Sequence, residues 1–176
     1  MQVWQDIPDF YGYSVSRAGG IRNNKSGRIL SQAITERGVY VSLSRGNIQY
    51  NRMVSRLVAE AFLELPELPH HRATFTTPIN LDGDRSNNCI DNLLWRPRWF
   101  AVKYHQQFRR YWVEDYLILN RDTGELFDSL LEAAKAYGIL VVDILIDMTS
   151  QVSNGVWPIG HHFEIPYNNT RNNRRL

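Results

Sequence analysis

Residues 81–95 of this chain read LDGDRSNNCIDNLLW, a polar stretch followed by a short apolar run. The polar part, residues 82–88, predicts a surface loop, because Asp, Asn, Ser and Gly are the residues that favour turns. A short helix is predicted to begin near Cys89 and to run through residues 92–95. Pro97, two residues further on, is predicted to interrupt it. An extended segment is expected directly before the loop, at residues 72–80.

The sequence before the loop predicts a small β module followed by one helix. Residues 11–16 and 38–43 alternate between apolar and polar side chains and are separated by Gly- and Asn-rich turn signals, which is typical of short strands. Within residues 53–63 the apolar positions recur at helical spacing. The part of the chain that enters the polar loop therefore combines β-sheet with a single amphipathic helix.

The sequence after the loop predicts a β-hairpin and two helices joined at a glycine, which is the outline of a helix-turn-helix. The predicted elements are a strand at 116–120, a turn at 122–125, helices at 130–137 and 141–148, and a closing strand at 161–165. Ser129 is placed to cap the first of these helices, with Glu132 as the reciprocal partner and Gly138 at its end. The fold class predicted for the whole chain is α+β, with modules at residues 1–50, 51–112 and 113–176.

Charge is distributed unevenly along the 176 residues, although the net charge is only +2. Residues 1–56 carry eight Lys or Arg against three Asp or Glu. Residues 98–113 carry four Lys or Arg and no Asp or Glu. Residues 114–166 carry two Lys or Arg against nine Asp or Glu, and the tail after them is basic again. This pattern suits a polyanionic partner for the first two modules, and an uneven solvated surface is the alternative. No run of apolar residues is long enough for a membrane span, and the lone Cys89 favours a reducing cytoplasm.

Several of these segments resemble the HNH homing endonucleases encoded by phages and introns. Residues 4–7 and 13–22 resemble the short module that precedes the HNH domain, and residues 56–62 resemble the helix that enters it. The loop at 82–88 and the run at 92–95 are similar to the loop and the supporting segment of that domain. Residues 123–163 are similar to the intron-encoded nuclease repeat, so that the resemblance spans about residues 3–165.

The resemblance implies a ββα-metal fold that binds double-stranded DNA, with a metal-ligand Asp or Asn followed by a His general base. Matched to that pattern, the ligand position is Ile79, the base position is Asn80, and a second ligand position is Ala101. Only Asn92, the supporting Asn, is retained, and Ser55 stands where a further His is usual. Aliphatic side chains cannot hold a cation, and an amide has no useful basicity near neutral pH. We therefore expect a degenerate catalytic site with no cofactor.

Replacement ligands are the remaining route to an active site. Asp82 is a weak candidate for a metal ligand, and Mg²⁺ or Mn²⁺ would be the cofactor if the chain were active. His70 and His71 could contribute only if the loop that carries them folded over the site. The alternative for Asp82 is a structural role in an Asx-type turn, which we favour.

Basic and amide side chains spread over the first two modules form the predicted DNA-binding set. These residues are Arg17, Arg22, Asn23, Lys25, Arg28, Arg45, Arg52, Arg56, Arg85, Asn87, Arg98, Lys103, Arg109 and Arg110. Guanidinium groups interleaved with aromatic residues can bind phosphates or stack on bases. The alternative is that the aromatic residues pack a helix onto the β layer while the arginines face water.

The third module departs from the resemblance, because its second predicted helix carries Asp143 and Asp147 and no Lys or Arg. Carboxylates repel phosphates, so residues 114–166 are predicted to serve packing or a protein partner. The leading hypothesis is a non-cutting, DNA-binding protein of a phage or mobile element. The alternatives are an active metal-dependent endonuclease that uses unrecognised ligands, and a module that binds only a protein partner.

Overall fold

The computed structural model describes residues 3–65, 76–109, 116–150 and 154–167. It is an α+β protein, as predicted, that divides into two compact units at residues 1–102 and 103–176. Among the described residues, no helix has both the length and the apolar character needed to cross a membrane. The three-module division remains a prediction from sequence, and each compact unit is described by itself below.

Two small antiparallel sheets form the first part of unit 1. One has the order β1–β2–β3, with strands Trp4–Asp6, Tyr13–Ser16 and Ile21–Asn23. The other has the order β4–β5–β6, with strands Ala33–Thr35, Gly38–Arg45 and Ile48–Met53. The predicted strands at 11–16 and 38–43 are confirmed as β2 and β5.

Helix α1, Val54–Phe62, follows β6 directly and confirms the predicted helix at 53–63. Its inward face is formed by Val54, Leu57 and Val58, none of which is more than 4% exposed. This helical spacing buries one apolar stripe, which is the main source of stability for so short a helix. The stripe belongs to one hydrophobic core that also contains Ile7 and Leu93, so both sheets and the 81–95 segment share a single core.

A β-hairpin and a helix form the ββα part that the sequence resemblance implied. Strand β7, Thr77–Asn80, pairs antiparallel with β8, Leu93–Arg96, and α2, Arg98–Gln107, begins two residues after β8 ends. The loop at 81–92 connects the two strands, and within it Ile90–Asn92 form one short 3₁₀ turn. The division between the two compact units falls within α2.

The predicted short helix at residues 89–95 is wrong, because the second half of that segment is β8. A short apolar run is ambiguous between strand and helix, and pairing with β7 decides it in favour of the strand. Pro97 has the opposite role to the one predicted. It holds the preceding Arg96 in extended backbone, and its carbonyl accepts a 2.9 Å hydrogen bond from Ala101 N in the first turn of α2.

Unit 2 contains a three-stranded antiparallel sheet in the order β10–β9–β11, with strands Leu126–Phe127, Ile118–Asn120 and Phe163–Glu164. Helix α3, Leu130–Tyr137, and helix α4, Val141–Thr149, confirm the two predicted helices. Ser129 Oγ accepts the Glu132 N–H at 3.1 Å, and Gly138 ends α3 in the left-handed conformation. The Glu132 carboxylate binds Lys135 Nζ at 2.7 Å.

Candidate functional site

The hairpin of β7 and β8 with the start of α2 places the three positions that the HNH resemblance assigns to chemistry. In the register of the hairpin, Ile79 lies opposite Leu94, and Asn80 lies opposite Leu93. Ala101 lies in the first turn of α2. The strand that carries Ile79 and Asn80 and the helix that carries Ala101 are therefore both present.

The side chains at the two presumed ligand positions do not fit a divalent cation. Ile79 is fully buried and Ala101 is 4% exposed, so both contribute hydrocarbon to the interior. Hard divalent cations require oxygen ligands, and neither residue offers a side-chain oxygen. No group of three or more His, Cys, Asp or Glu side chains comes together in the described part of the chain. His70 and His71 lie outside the described residues.

Asn80, which the resemblance assigns to the general-base position, makes structural hydrogen bonds in this loop. It is only 3% exposed, and its Nδ2 donates to the backbone carbonyl of Asn87 at 2.8 Å and to Asn88 Oδ1 at 3.5 Å. Its own backbone carbonyl accepts the Gly83 N–H at 2.9 Å. A neutral imidazole could take a proton from water, but a primary amide cannot do so at any useful pH. The residue therefore holds the two ends of the loop together.

Asp82 and Asn92 form a second network inside the same loop. Asn92 Nδ2 donates to Asp82 Oδ1 at 2.9 Å and to the Asn87 carbonyl at 2.9 Å, while Asn92 Oδ1 accepts the Asp82 N–H at 3.0 Å. The second oxygen of Asp82, Oδ2, accepts Asn87 Nδ2 at 2.7 Å. Both carboxylate oxygens of the weak metal candidate thus accept hydrogen bonds from the loop. Asn92, the supporting Asn of the resemblance, lies in the 3₁₀ turn, outside any α-helix.

The adjacent part of the loop is stabilised by Asp84. Its Oδ1 accepts the Ser86 N–H at 2.8 Å and the Ser86 hydroxyl at 2.7 Å. These hydrogen bonds favour the charged carboxylate and lower the pKa of Asp84 below its usual range. Arg85, between them, donates to the backbone carbonyl oxygens of Glu36 and Arg37 at 3.5 and 3.4 Å. Its guanidinium therefore ties this loop to the turn between β4 and β5.

Several arginines of the predicted DNA-binding set stack on aromatic rings. The guanidinium of Arg22 lies 4.5 Å from the centre of the Trp4 ring. Arg45 and Arg52 lie over both Phe10 and Tyr50, at 5.1 to 5.8 Å from the ring centres. Stacking leaves the N–H edges of a guanidinium available for hydrogen bonds while it restricts the side chain.

Other members of the predicted set make ion pairs or shape turns. Arg17 lies 3.6 Å from Asp91 and also over the Phe62 ring, and Arg56 Nε contacts Glu60 Oε1 at 2.7 Å. Asn23 Oδ1 accepts two backbone N–H groups of the turn that follows it. Lys25, Arg28 and Arg98 are exposed. Lys103 and Arg109 are exposed in unit 2, and Arg110 lies outside the described residues.

A polar surface on the sheet β4–β5–β6 was not identified from the sequence. Ser42 pairs with Asn51 and Ser44 with Gln49, while the alternate residues of β5, such as Leu43, are buried. The outward side chains are therefore uncharged hydrogen-bonding groups. They border a shallow cavity of about 790 Å³ whose lining includes Tyr40, Ser42 and Asn51 together with the charged Glu36 and Arg37. Strand alternation could have identified this face once the pairing of β5 and β6 was known.

In unit 2 the two acidic residues of α4 differ in their surroundings. Asp147 is 8% exposed, and its oxygens accept Phe163 N at 2.7 Å and lie 3.0 Å from His162 Nδ1. Asp143 is half-buried, and this burial raises its pKa, an effect that the Lys103 charge partly opposes. Asp147 therefore fastens α4 to the strand β11. The exposed side chains of α4 include Val142 and Ile146.

Comparisons with known proteins confirm the resemblance to HNH homing endonucleases. Residues 3–44 match the model of the NUMOD4 motif. Two curated relatives come from Acanthamoeba polyphaga mimivirus. The uncharacterized HNH endonuclease L245 is 35% identical over 92 residues, which are 52% of this chain and 26% of the relative. The uncharacterized HNH endonuclease L247 is 28% identical over 96 residues, which are 54% of this chain and 23% of the relative. This chain thus covers about a quarter of the length of either relative.

A solved structure supports the same fold. The structure titled "DNA binding and cleavage by the HNH homing endonuclease I-HmuI" aligns with 94% of this chain and 99% of its own, with a TM-score of 0.50 and 21% sequence identity. At that identity the match shows the fold, and the roles of individual residues rest on the geometry of this chain.

Proposed function

We propose that this chain binds double-stranded DNA and does not hydrolyse it. The observation that carries the proposal is the contrast within unit 1 between an aliphatic interior at Ile79 and Ala101 and a surface that keeps many cationic side chains. Phosphate binding depends on surface charge and counterion release and needs no bound metal. DNA binding can therefore persist after hydrolysis is lost.

The proposed DNA contacts are of two kinds. Exposed cations such as Lys25, Arg28 and Arg98 would neutralise phosphates, which positions the protein on the duplex without reading its sequence. The uncharged side chains on the sheet β4–β5–β6, Asn51 among them, can donate to and accept from base edges. Asn87 and Arg85 from the predicted set hold the loop at 81–92, so their effect on DNA would be indirect.

The absence of hydrolysis follows from the chemistry of the site residues. Hydrolysis of a phosphodiester requires an activated water and stabilisation of the charge that develops on the phosphate. Asn80 cannot activate water, and Ile79 and Ala101 cannot hold the cation that would stabilise the charge. Asp82 already accepts hydrogen bonds from the loop at both oxygens.

The test measures binding and cleavage on the same DNA. Fluorescence anisotropy with a short duplex at low salt is expected to show binding that weakens linearly in a plot of log affinity against log salt. A supercoiled plasmid, incubated with the protein and Mg²⁺ or Mn²⁺, is expected to stay intact. Scission that disappears in an Asp82→Ala variant would establish an active nuclease with unrecognised ligands and refute the proposal. An affinity that does not depend on salt would refute the DNA-binding part.

The remaining parts of the proposal concern source and partners. We propose that the chain comes from a phage or another mobile element and acts in the cytoplasm of the infected or host cell. The viral origin of both relatives supports a viral source, and the phage and its bacterial host rest on the sequence resemblance. For residues 114–166 we propose a packing or protein-binding role. The supporting observation is that α4 has no cation and exposes Val142 and Ile146, which are 44% and 58% exposed and one helical turn apart.

A further inference from the structure

Two arginines of strands β5 and β6 lie against the same pair of aromatic rings. The Arg45 guanidinium lies 5.8 Å from the centre of the Phe10 ring and 5.2 Å from the centre of the Tyr50 ring. The Arg52 guanidinium lies 5.1 and 5.3 Å from the same two centres. The rings pack edge to face, with their centres 5.7 Å apart. These four side chains therefore form one group, the paired-arginine cluster.

The strand register explains why the cluster forms. Tyr50 on β6 lies opposite the buried Leu43 on β5. Arg52 follows Tyr50 by two residues on β6, and Arg45 follows Leu43 by two residues on β5. Residues two apart on a strand, and residues opposite each other on paired strands, lie on the same face of a sheet. Both arginines therefore share a face with Tyr50, opposite to the uncharged face of the same sheet described above.

Neither guanidinium of the cluster is neutralised within the described part of the chain. Arg45 and Arg52 form no ion pair and donate no hydrogen bond there. Arg52 shares a cleft of about 650 Å³ with Asp9, Arg56 and Glu60. Glu60 is paired with Arg56 at 2.7 Å, so Asp9 is the one carboxylate of that lining outside an ion pair. With the charge of Asp9 counted, the two arginines still leave a net charge of +1.

The two guanidinium groups are close enough to bind the same short stretch of a DNA strand. Each lies within 5.3 Å of the Tyr50 ring centre, so the two groups are no more than twice that distance apart. One strand of duplex DNA carries a phosphate about every 3.4 Å along the helix axis, so neighbouring phosphates fall within this span. The guanidinium fork matches the geometry of a phosphate, and stacking restricts the side chain before binding, which reduces the entropy lost.

We infer that Arg45 and Arg52, held on the Phe10 and Tyr50 rings, bind two neighbouring phosphates of one DNA strand. The inference rests on the proposed function, because it assumes that the chain binds DNA. Each phosphate that a cation neutralises contributes about −0.9 to the slope of log affinity against log salt. The paired-arginine cluster therefore accounts for a defined part of the salt dependence of binding.

The experiment measures the affinity of the full-length chain for one short duplex by fluorescence anisotropy at several salt concentrations. Arg45→Gln combined with Arg52→Gln is expected to weaken binding at low salt by about tenfold and to make the slope less negative by about two. Should this double variant unfold, Arg45→Gln alone, at an exposed position, is expected to change the slope by about one. Lys at both positions should keep the slope but bind more weakly, because an ammonium lacks the planar fork. Tyr50→Leu removes a ring and no charge, so it should weaken binding by about threefold without changing the slope, whereas Tyr50→Phe should bind as the wild type.

Arg121→Gln combined with Lys135→Gln is the matched control, because it removes the same net charge. Both cations belong to unit 2 and are paired with carboxylates, Glu164 at 3.4 Å and Glu132 at 2.7 Å, and this variant should keep the wild-type slope. An unchanged slope in the arginine variants, or an equal change in the control, would overturn the inference while the proposed DNA binding stands. Wild-type affinity in Tyr50→Leu would overturn the role given to the rings. Failure of the wild type to bind the duplex at low salt would refute the proposed function, and the inference with it.

Discussion

Replacing Asn92 by alanine tests whether the supporting Asn holds the loop at 81–92. The substitution removes three hydrogen bonds, of 2.9, 2.9 and 3.0 Å, to Asp82 and Asn87. A net contribution of about 0.5–1.5 kcal/mol per hydrogen bond gives a loss of about 1.5–4.5 kcal/mol. Because the Asn92 side chain is only half-buried, water can replace part of this, and we expect a loss of about 2 kcal/mol.

The assay is urea unfolding of the full chain, fitted with separate transitions for the two units, together with hydrogen exchange. Asn92→Ala should lower the midpoint of the transition of unit 1 and speed exchange of amides in the loop at 81–92. Asn47→Ala, at an exposed asparagine of the turn between β5 and β6, is the control and should change stability by less than about 0.5 kcal/mol. Equal effects of the two variants would refute a structural role for Asn92.

Three further changes have definite expected outcomes. Restoring the family side chains with Ile79→Asp, Asn80→His and Ala101→Asn should create a site for one Mn²⁺, seen by titration calorimetry and absent in the single Ala101→Asn control. Deleting residues 114–176 should change affinity for a duplex by less than about tenfold, or about 1.4 kcal/mol, and a larger loss measured by anisotropy would assign DNA contacts to that region. Burial raises the pKa of Asp143, so the folded state binds its proton more readily than the unfolded state, and stability is lost as pH rises through the range where this carboxyl ionises. Asp143→Asn should therefore unfold at higher urea than the wild type at pH 7, with a difference that shrinks below about pH 4, and a difference that does not depend on pH would contradict this.

The elements with strong local signals could be predicted from the sequence. Helix α1 follows from its apolar spacing, and helix α3 follows from the Ser129 cap and the Gly138 stop. Strand β8 could not be predicted, because Leu93 to Arg96 have no local property that separates a strand from a helix. Their conformation depends on pairing with β7, some fifteen residues earlier in the chain.

The candidate site could likewise be predicted from the sequence only in part. Matching the sequence to the family pattern is enough to find aliphatic residues at positions 79 and 101. The structure adds that both side chains are buried. The contacts of the individual arginines could not be predicted from the sequence. Stacking of Arg45 and Arg52 on Phe10 joins residues about forty positions apart in the chain. The sequence indicates that charge is present, and only tertiary packing decides which cations are held on rings, paired with carboxylates or left exposed.

The hydrogen bonds within the loop at 81–92 hold it without any contribution from positions 79 and 101. In unit 1 the loop is held by side-chain amides: Asn80 binds the carbonyl of Asn87, and Asn92 binds Asp82 and the same carbonyl. None of these contacts involves the side chains of Ile79 or Ala101, so aliphatic residues at these two positions leave the loop network intact. Both side chains are buried and apolar, which favours folding. The proposed absence of hydrolysis is therefore compatible with a stable fold.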